Sequence, residues 1–381
     1  MGENMDIAQR MPAAEPAQKI VYDGRLGPLY GIFIKNLLLN IITLSIYRFW
    51  GKTNLRRYIW SHMRFQGEAL EYTGTGGELF IGFLIVIGLL IVTQIGIAIL
   101  HLAAGSSEAF GSLIGLIFGA VVVYLTMVAI YAAQRYRLTR TVWRGIRGGM
   151  TGSAWSFGLR AIVFNLLAGL TLSLAGPWAR IRLAEIRINN SYFGDAKAYL
   201  NASAGKVFLS YLTGLAIYLV IVGAAGFAIW TSFDLTHVLA TMLDAARTQN
   251  DSNPETLHLV GRFIAAYGLF LLVFIAAGTF AFCWYAAAFF RVVASGLTFA
   301  DLSFRSTMGP GDYLRLWLGN ILILLVTLGF GLPIVIHRSL RFFADRLEII
   351  GNVDVERLRQ NTLPKPRTGE GLLETFDPGF W

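Results

Sequence analysis

Three asparagine and threonine pairs stand out as residues whose type and spacing could do chemistry inside a bilayer: Asn36 with Thr43, Asn165 with Thr171, and Asn320 with Thr327. Each pair lies in an apolar stretch that carries one cation in its first half, Lys35, Arg160 or Arg315. Each threonine opens a core of one pattern, Thr43-Leu-Ser-Ile-Tyr-Arg-Phe-Trp50, then Thr171-Leu-Ser-Leu-Ala-Gly-Pro-Trp178 and Thr327-Leu-Gly-Phe-Gly-Leu-Pro-Ile334. Converging carboxamides and hydroxyls would line a polar path or coordinate a solute. The same residue types also serve as interhelical glue in membranes, where they hydrogen-bond their neighbours.

A second chemistry belongs to arginines interleaved with tryptophans. The segments 48–64 and 135–147 place Arg56, Arg57, Arg64, Arg137, Arg144 and Arg147 near Trp50, Trp60, Trp143 and Trp155. Such a set could hold anionic headgroups; it also reads as an orientation signal with an interfacial aromatic belt. No catalytic constellation emerges. Glu68, Glu71 and Glu78 have cations nearby but no nucleophile, and Gly74-Thr-Gly-Gly77 runs into Glu78 without the Lys-Ser/Thr of a phosphate loop. One cysteine, Cys283, and five scattered histidines offer no disulfide and no metal-ligand spacing. The expectation is a protein without metal or cofactor, and not an enzyme.

The elements that must position these residues are membrane elements. A hydrophobic fraction of 55% with 14% charged residues is outside the soluble range. Four runs, Leu79 to Leu100, Leu113 to Ala133, Val207 to Trp230 and Phe263 to about Ala287, lack charge and are long enough to cross a bilayer. The three threonine cores are apolar but interrupted, and Pro177 and Pro333 break the later two. If the cores dip in and return, 27 of the 32 Lys and Arg fall on one side and 2 on the other; if they span, cations lie on both sides. Lys/Arg asymmetry in short loops sets orientation, so the re-entrant arrangement is expected, with both termini cytoplasmic. The net charge of +9 is thereby explained by the membrane face and anionic lipid, without nucleic acid.

Short alternating runs around glycine, such as Phe65 to Tyr72 and Phe193 to Tyr199, read as β-hairpins. Hydrocarbon cannot hold their open edges, so they belong in the cytoplasm. The fold expected is an all-α polytopic membrane protein with internal repeats: four full transmembrane helices, three interrupted re-entrant segments and small cytoplasmic β-hairpins. The repeat divides the chain into a disordered lead-in (1–22), a first unit (23–133), a second (134–290), a partial third (291–360) and a mobile tail (361–381). From Arg338 to Arg359, charges of both signs at near-helical spacing predict a short surface helix. Gly115-x-x-x-Gly119 is a close-approach motif, and a homo-oligomer is one use for it.

Asp23-Gly-Arg-Leu-Gly-Pro-Leu-Tyr30, Tyr47-Arg-Phe-Trp50, the Phe65 to Tyr72 segment, Gly74-Thr-Gly-Gly-Glu-Leu-Phe80 and Thr141-Val-Trp-Arg-Gly-Ile-Arg147 together resemble the bacterial inner-membrane family typified by YjgN. The resemblance runs from about residue 20 to residue 355. It implies a multi-pass inner-membrane location and carries over no catalytic or binding residue. The chain departs from the family-like pattern at Arg147-Gly148, where Arg-Phe is expected, which predicts a weaker strand there. The functional expectation is a small-solute or lipid-like transporter or channel built around the three cores. The alternative is a non-catalytic scaffold that binds anionic lipid. Membrane lipids are the expected partners.

Overall fold

The computed structural model describes residues 18–104, 108–248, 254–352 and 358–363. Its elements follow one rule: each strand is joined to the next either by a tight turn or by a helical excursion. In order they are β1 (Gln18–Lys19), β2 (Val21–Tyr22), α1 (Leu26–Ile42), α2 (Arg48–Ser61), β3 (Met63–Phe65), β4 (Glu68–Tyr72), α3 (Gly76–Ala104), α4 (Glu108–Arg140), β5 (Thr141–Trp143) and β6 (Ile146–Met150). Then come α5 (Ala154–Leu170), α6 (Gly176–Ile188), β7 (Ser191–Phe193), β8 (Ala196–Leu200), α7 (Ala204–Ser232), α8 (Leu235–Thr248) and α9 (Pro254–Gly296). The chain continues with β9 (Leu297–Phe299), β10 (Leu302–Ser306), α10 (Pro310–Val326), α11 (Leu332–Arg346) and β11 (Leu347–Ile350).

The eleven strands of the described residues join one antiparallel sheet in the order β1-β11-β10-β9-β8-β7-β6-β5-β4-β3-β2. Only Ile20 separates β1 from β2, yet they stand at the two ends of that order. Gln18 and Lys19 pair with Ile349 and Glu348, while Val21 and Tyr22 pair with Arg64 and Met63, so one short segment draws both edges into a near-barrel. Closure removes the open edges that such short strands would otherwise present. This corrects the expectation of an all-α chain with separate small hairpins. The hairpins exist, but the ladders between them, such as Leu70↔Trp143 and Tyr199↔Thr298, join residues far apart in sequence and leave no local signal.

In a meander every second connection falls on the same rim. One rim carries tight turns. Gln66-Gly67 and Arg144-Gly145 have positive φ at both central residues (50° and 79°, 48° and 76°), the turn whose twist matches a hairpin and which glycine makes cheap. The other rim carries the helices, and a backbone hydrogen bond closes each excursion at its base: Asp23 N to His62 O, Thr73 N to Arg140 O, Thr151 N to Asn190 O, Asn201 N to Gly296 O, and Thr307 N to Arg346 O. Every helical excursion therefore begins and ends at the same rim.

One compact unit holds the sheet together with α1 to α6, the end of α10 and α11. Its interior face is aromatic: Phe65, Trp143, Phe193 and Phe299 follow one another with ring centroids 5.2, 6.1 and 6.3 Å apart. Leu302 and Ile349 close the interior against Ile20, Phe65, Phe299 and Phe304. Toward the helices, Phe49, Tyr72, Leu79 and Tyr136 form a second core, and Tyr131, Met150, Phe157 and Ala161 a third. Glu78 accepts hydrogen bonds from Tyr136 Oη (2.5 Å) and Arg140 and so ties the first turn of α3 to the last turn of α4.

The second unit comprises residues 204–290 and 308–318. Within it α7 and α9 pack through Tyr211 on Tyr285 and Tyr218 on Phe274, both edge to face, and Gly214 lets the backbone of Ala281 approach. Among the described residues four helices are long and apolar enough to cross a membrane, at Gly76–Leu100, Phe110–Arg140, Ala204–Ser232 and His258–Gly296, and they contain the four runs expected. The polar loop expected between the last two holds a helix, α8. The surface helix expected over Arg338 to Arg359 ends at Arg346, because Leu347-Glu-Ile-Ile350 pairs with β10 and β1 as β11. Residues 18–22, placed in the lead-in by sequence, form β1 and β2, while residues 1–17 and 364–381 of the lead-in and tail lie outside the described residues.

Candidate membrane-inserting site

Three excursions, α1–α2, α5–α6 and α10–α11, are helical hairpins of one design. The first helix has 17 residues in each case and ends at the threonine of the core. Reversal then takes two left-handed residues, Leu44 and Ser45 (φ 49° and 68°), Leu172 and Ser173 (49° and 71°), or Leu328 and Gly329 (50° and 89°). The second of these donates back to the carbonyl five residues earlier: Ser45 N to Asn40 O, Ser173 N to Ala168 O, Gly329 N to Leu324 O. This is the hydrogen-bond pattern of a left-handed helix terminus.

The threonine hydroxyl completes each break. Thr43 Oγ1 donates to Leu39 O (2.7 Å) and accepts from Tyr47 N (2.9 Å). Thr171 makes the same two bonds with Leu167 O (2.8 Å) and Ala175 N (3.0 Å), and Thr327 with Ile323 O (2.6 Å) and Gly331 N (2.7 Å). The hydroxyls thus satisfy the first amides of the returning helices, groups that hydrocarbon would leave without a partner.

The tips are apolar and bare. Leu44, Leu172 and Leu328 are 88%, 87% and 87% exposed. Ile41, Ile42, Leu170, Leu325, Val326 and Phe330 continue the same surface. Most cations of the hairpins stand eight to twelve residues from the threonine, with Arg48 nearer, five after Thr43, and Arg315 twelve before Thr327. Lys35 lies eight residues before Thr43 and Lys52 nine after; Arg160 and Arg182 stand eleven on either side of Thr171, with Arg180 nine after; Arg338 is eleven after Thr327. At 1.5 Å per helical residue this spacing sets a collar of cations ~12–18 Å behind each tip.

The asparagines tie hairpins rather than one another. Asn36 Nδ2 donates to Gly51 O (3.1 Å) between α1 and α2, and Asn320 Nδ2 to Ser339 Oγ (3.1 Å) between α10 and α11. Asn165 Nδ2 contacts Met127 Sδ (4.0 Å) on α4. Among the described residues none of the three bonds another. The Oδ1 atoms of Asn36 and Asn320 are buried without a donor.

The six arginines singled out by sequence fall into two places. Arg56 is buried on α2, its guanidinium 3.4 Å from Tyr72 Oη, and Arg57 donates to Gly74 O (2.9 Å). Arg137, near the end of α4, faces Arg187 of α6; burial and this like charge lower the Arg187 pKa. Arg64, Arg144 and Arg147 sit on the sheet and its turn rim instead. Arg64 pairs with Asp23 (2.6 Å), Arg144 lies on the Trp143 ring (5.0 Å), and Arg147 donates to the carbonyls of Asn361 and Leu363. Sequence reasoning did not single out Lys52, Arg180 and Arg182, and placed Arg338 only in a surface helix; counting outward from each threonine would have found all four. An open groove of about 500 Å³ lies on the sheet's outside, lined by Gln18, Lys19, Val21, Arg64, Gln66, Gly67 and Asn352.

The profile of the family described as "Bacterial protein of unknown function (DUF898)" matches residues 17–375. Among curated proteins the chain is similar to "Inner membrane protein YjgN" of Salmonella typhimurium, 31% identical over 139 residues, 36% of this chain and 33% of that protein. It is also similar to the protein of the same name from Escherichia coli K12, 35% identical over 69 residues, 18% of this chain and 17% of that one. The chain thus aligns with a third or less of the length of these relatives. No solved structure matches it.

Proposed function

The chain belongs to the bacterial family DUF898, of YjgN-type inner-membrane proteins, and from that premise we propose that it is a non-catalytic, lipid-engaging protein of the inner membrane that sets three re-entrant wedges into the cytoplasmic leaflet. The observation that carries this reading is the tip design: three hairpins with one reversal geometry, each presenting a leucine 87% or more exposed. Water would not tolerate that surface, and acyl chains would cover it. With the tips ~12–18 Å deep, the cationic collar lies at the level of the phosphates, where Lys and Arg are retained on the cytoplasmic side and attract anionic lipid. In this arrangement the near-barrel and both ends of the sheet face the cytoplasm, and the three hairpins are copies of one repeated unit.

A solute path through the cores is the second reading. The unpartnered Oδ1 atoms of Asn36 and Asn320 favour it. What weighs against it is that each amide nitrogen is already engaged within its own hairpin or on α4. The test places a bimane-labelled cysteine at Ser45, Ser173 or Gly329 in a Cys283→Ser background and reconstitutes the protein with acyl-brominated lipid. Quenching at all three positions, with no labelling by an impermeant thiol reagent from the periplasm, is expected. Periplasmic labelling, or no quenching, overturns the wedge reading.

A further inference from the structure

Residues 358–363, Leu-Arg-Gln-Asn-Thr-Leu, cross the turn rim of the near-barrel as a strap. Leu358 packs against Leu302 and Ile349 in the mouth of the interior, the pair that Ile20, Phe65, Phe299 and Phe304 also cover. Arg359 N donates to Asp195 Oδ1 (3.0 Å) in the β7–β8 turn. Gln360 sits in a notch at the β5–β6 turn: its Nε2 donates to Gly145 O (2.8 Å), and its Oε1 accepts from Arg147 N (3.1 Å). Beyond the notch the strap lies on the opposite face of β6. Side chains alternate along a strand, so Ile146 and Gly148 face inward while Arg147 and Gly149 face out. Arg147 holds the carbonyls of Asn361 and Leu363 there.

The seat is shaped for a close-lying segment, whose side chains crowd Gly149 and whose backbone crowds Gly194. A Cβ on Gly149 would stand 2.2 Å from Asn361 Nδ2 and 3.0 Å from Leu363 Cδ1, the three nearest atoms all belonging to the strap. Arg359 O lies 2.6 Å from where a Cβ of Gly194 would be. Two glycines, an arginine that reads main-chain carbonyls and a notch that reads one carboxamide amount to a recognition groove for an extended peptide, not a packed core. The fit is also incomplete, since Arg147 Nη1 and Asn361 Nδ2 are buried without acceptors. Such orphaned donors weaken a contact and favour exchange.

We propose that this groove is a peptide-docking site for segments of the pattern Leu-x-Gln-Asn-x-Leu, and that residues 358–363 occupy it in cis as a latch over the aromatic mouth. A fluorescein-labelled peptide of residues 356–365 tests it against the full-length protein in detergent. Leu358→Asp or Gln360→Ala loosens the cis strap and leaves the groove intact, so the peptide is expected to bind either variant at least tenfold more tightly than the unmodified chain. Adding Gly149→Ala to either variant is expected to abolish that binding. In the otherwise unmodified chain, Gly149→Ala is expected to speed proteolysis within 358–363 and to raise acrylamide quenching of tryptophan. Equal binding to the loosened and unmodified proteins, or binding indifferent to Gly149→Ala, overturns the proposal. So does a strap that stays protected in Gly149→Ala.

Discussion

Thr327→Val removes one hydroxyl and keeps the β-branched shape, so its cost reports what the hydroxyl does in the third hairpin. Two bonds go, to Ile323 O (2.6 Å) and from Gly331 N (2.7 Å). The first is a back-bond to the carbonyl four residues earlier, of little net value; the second leaves a backbone donor without an acceptor, at a cost of about 1–3 kcal/mol. With the tip in lipid, as proposed, no water replaces the acceptor, so the total is about 1–3 kcal/mol. Thr327→Ser keeps both bonds and is expected to lose less than about 1 kcal/mol, mainly methyl burial. The control is Thr93→Val: Thr93 Oγ1 donates to Leu89 O (2.8 Å) within α3, a back-bond of little or no net value. Equilibrium unfolding in mixed micelles measures all three variants. Because Thr43 and Thr171 make the same bonds, their valine variants should reproduce the loss. A Thr327→Val cost within about 0.5 kcal/mol of Thr93→Val would refute the argument.

Glu78→Ala takes from Arg140 and Tyr136 the carboxylate they share; with side-chain exposures of 10% and 25% for the Arg140–Glu78 pair, a loss of about 3 kcal/mol in the same assay is expected, insensitive to salt between 0.1 and ~1 M because the pair is poorly screened. Tyr22 is held at a pKa of about 12, raised first by burial and then by the nearby Tyr58 and Asp23. The unfolded chain ionises this phenol near 10, so stability falls as pH rises from about 10 toward 12, and Tyr22→Phe should flatten that decline. Below pH 10 the same substitution is expected to be neutral or stabilising by about 1 kcal/mol, since the buried Tyr22 hydroxyl has no partner.

The four helices long and apolar enough to cross a membrane were legible in the sequence because an uncharged run of twenty or more apolar residues has few other homes. The three breaks were legible too: Thr43, Thr171 and Thr327 each begin the same short core, and a reversal is a local event fixed by a threonine, two left-handed residues and their immediate neighbours. The β-hairpins showed through their glycine turns for the same reason. What each asparagine bonds was not legible, since Gly51, Met127 and Ser339 lie on other helices and no spacing rule singles them out. Nor was the near-barrel, whose ladders join strands separated by whole helical excursions, nor the strap, in which Arg147 meets Asn361 more than two hundred residues later. Apolar length and backbone reversal are paid for locally, and so the sequence by itself determined them. Which strand edges meet, and which arginines turn toward protein rather than lipid, depends on contacts that exist only once the chain has closed on itself, and those only the tertiary structure decided.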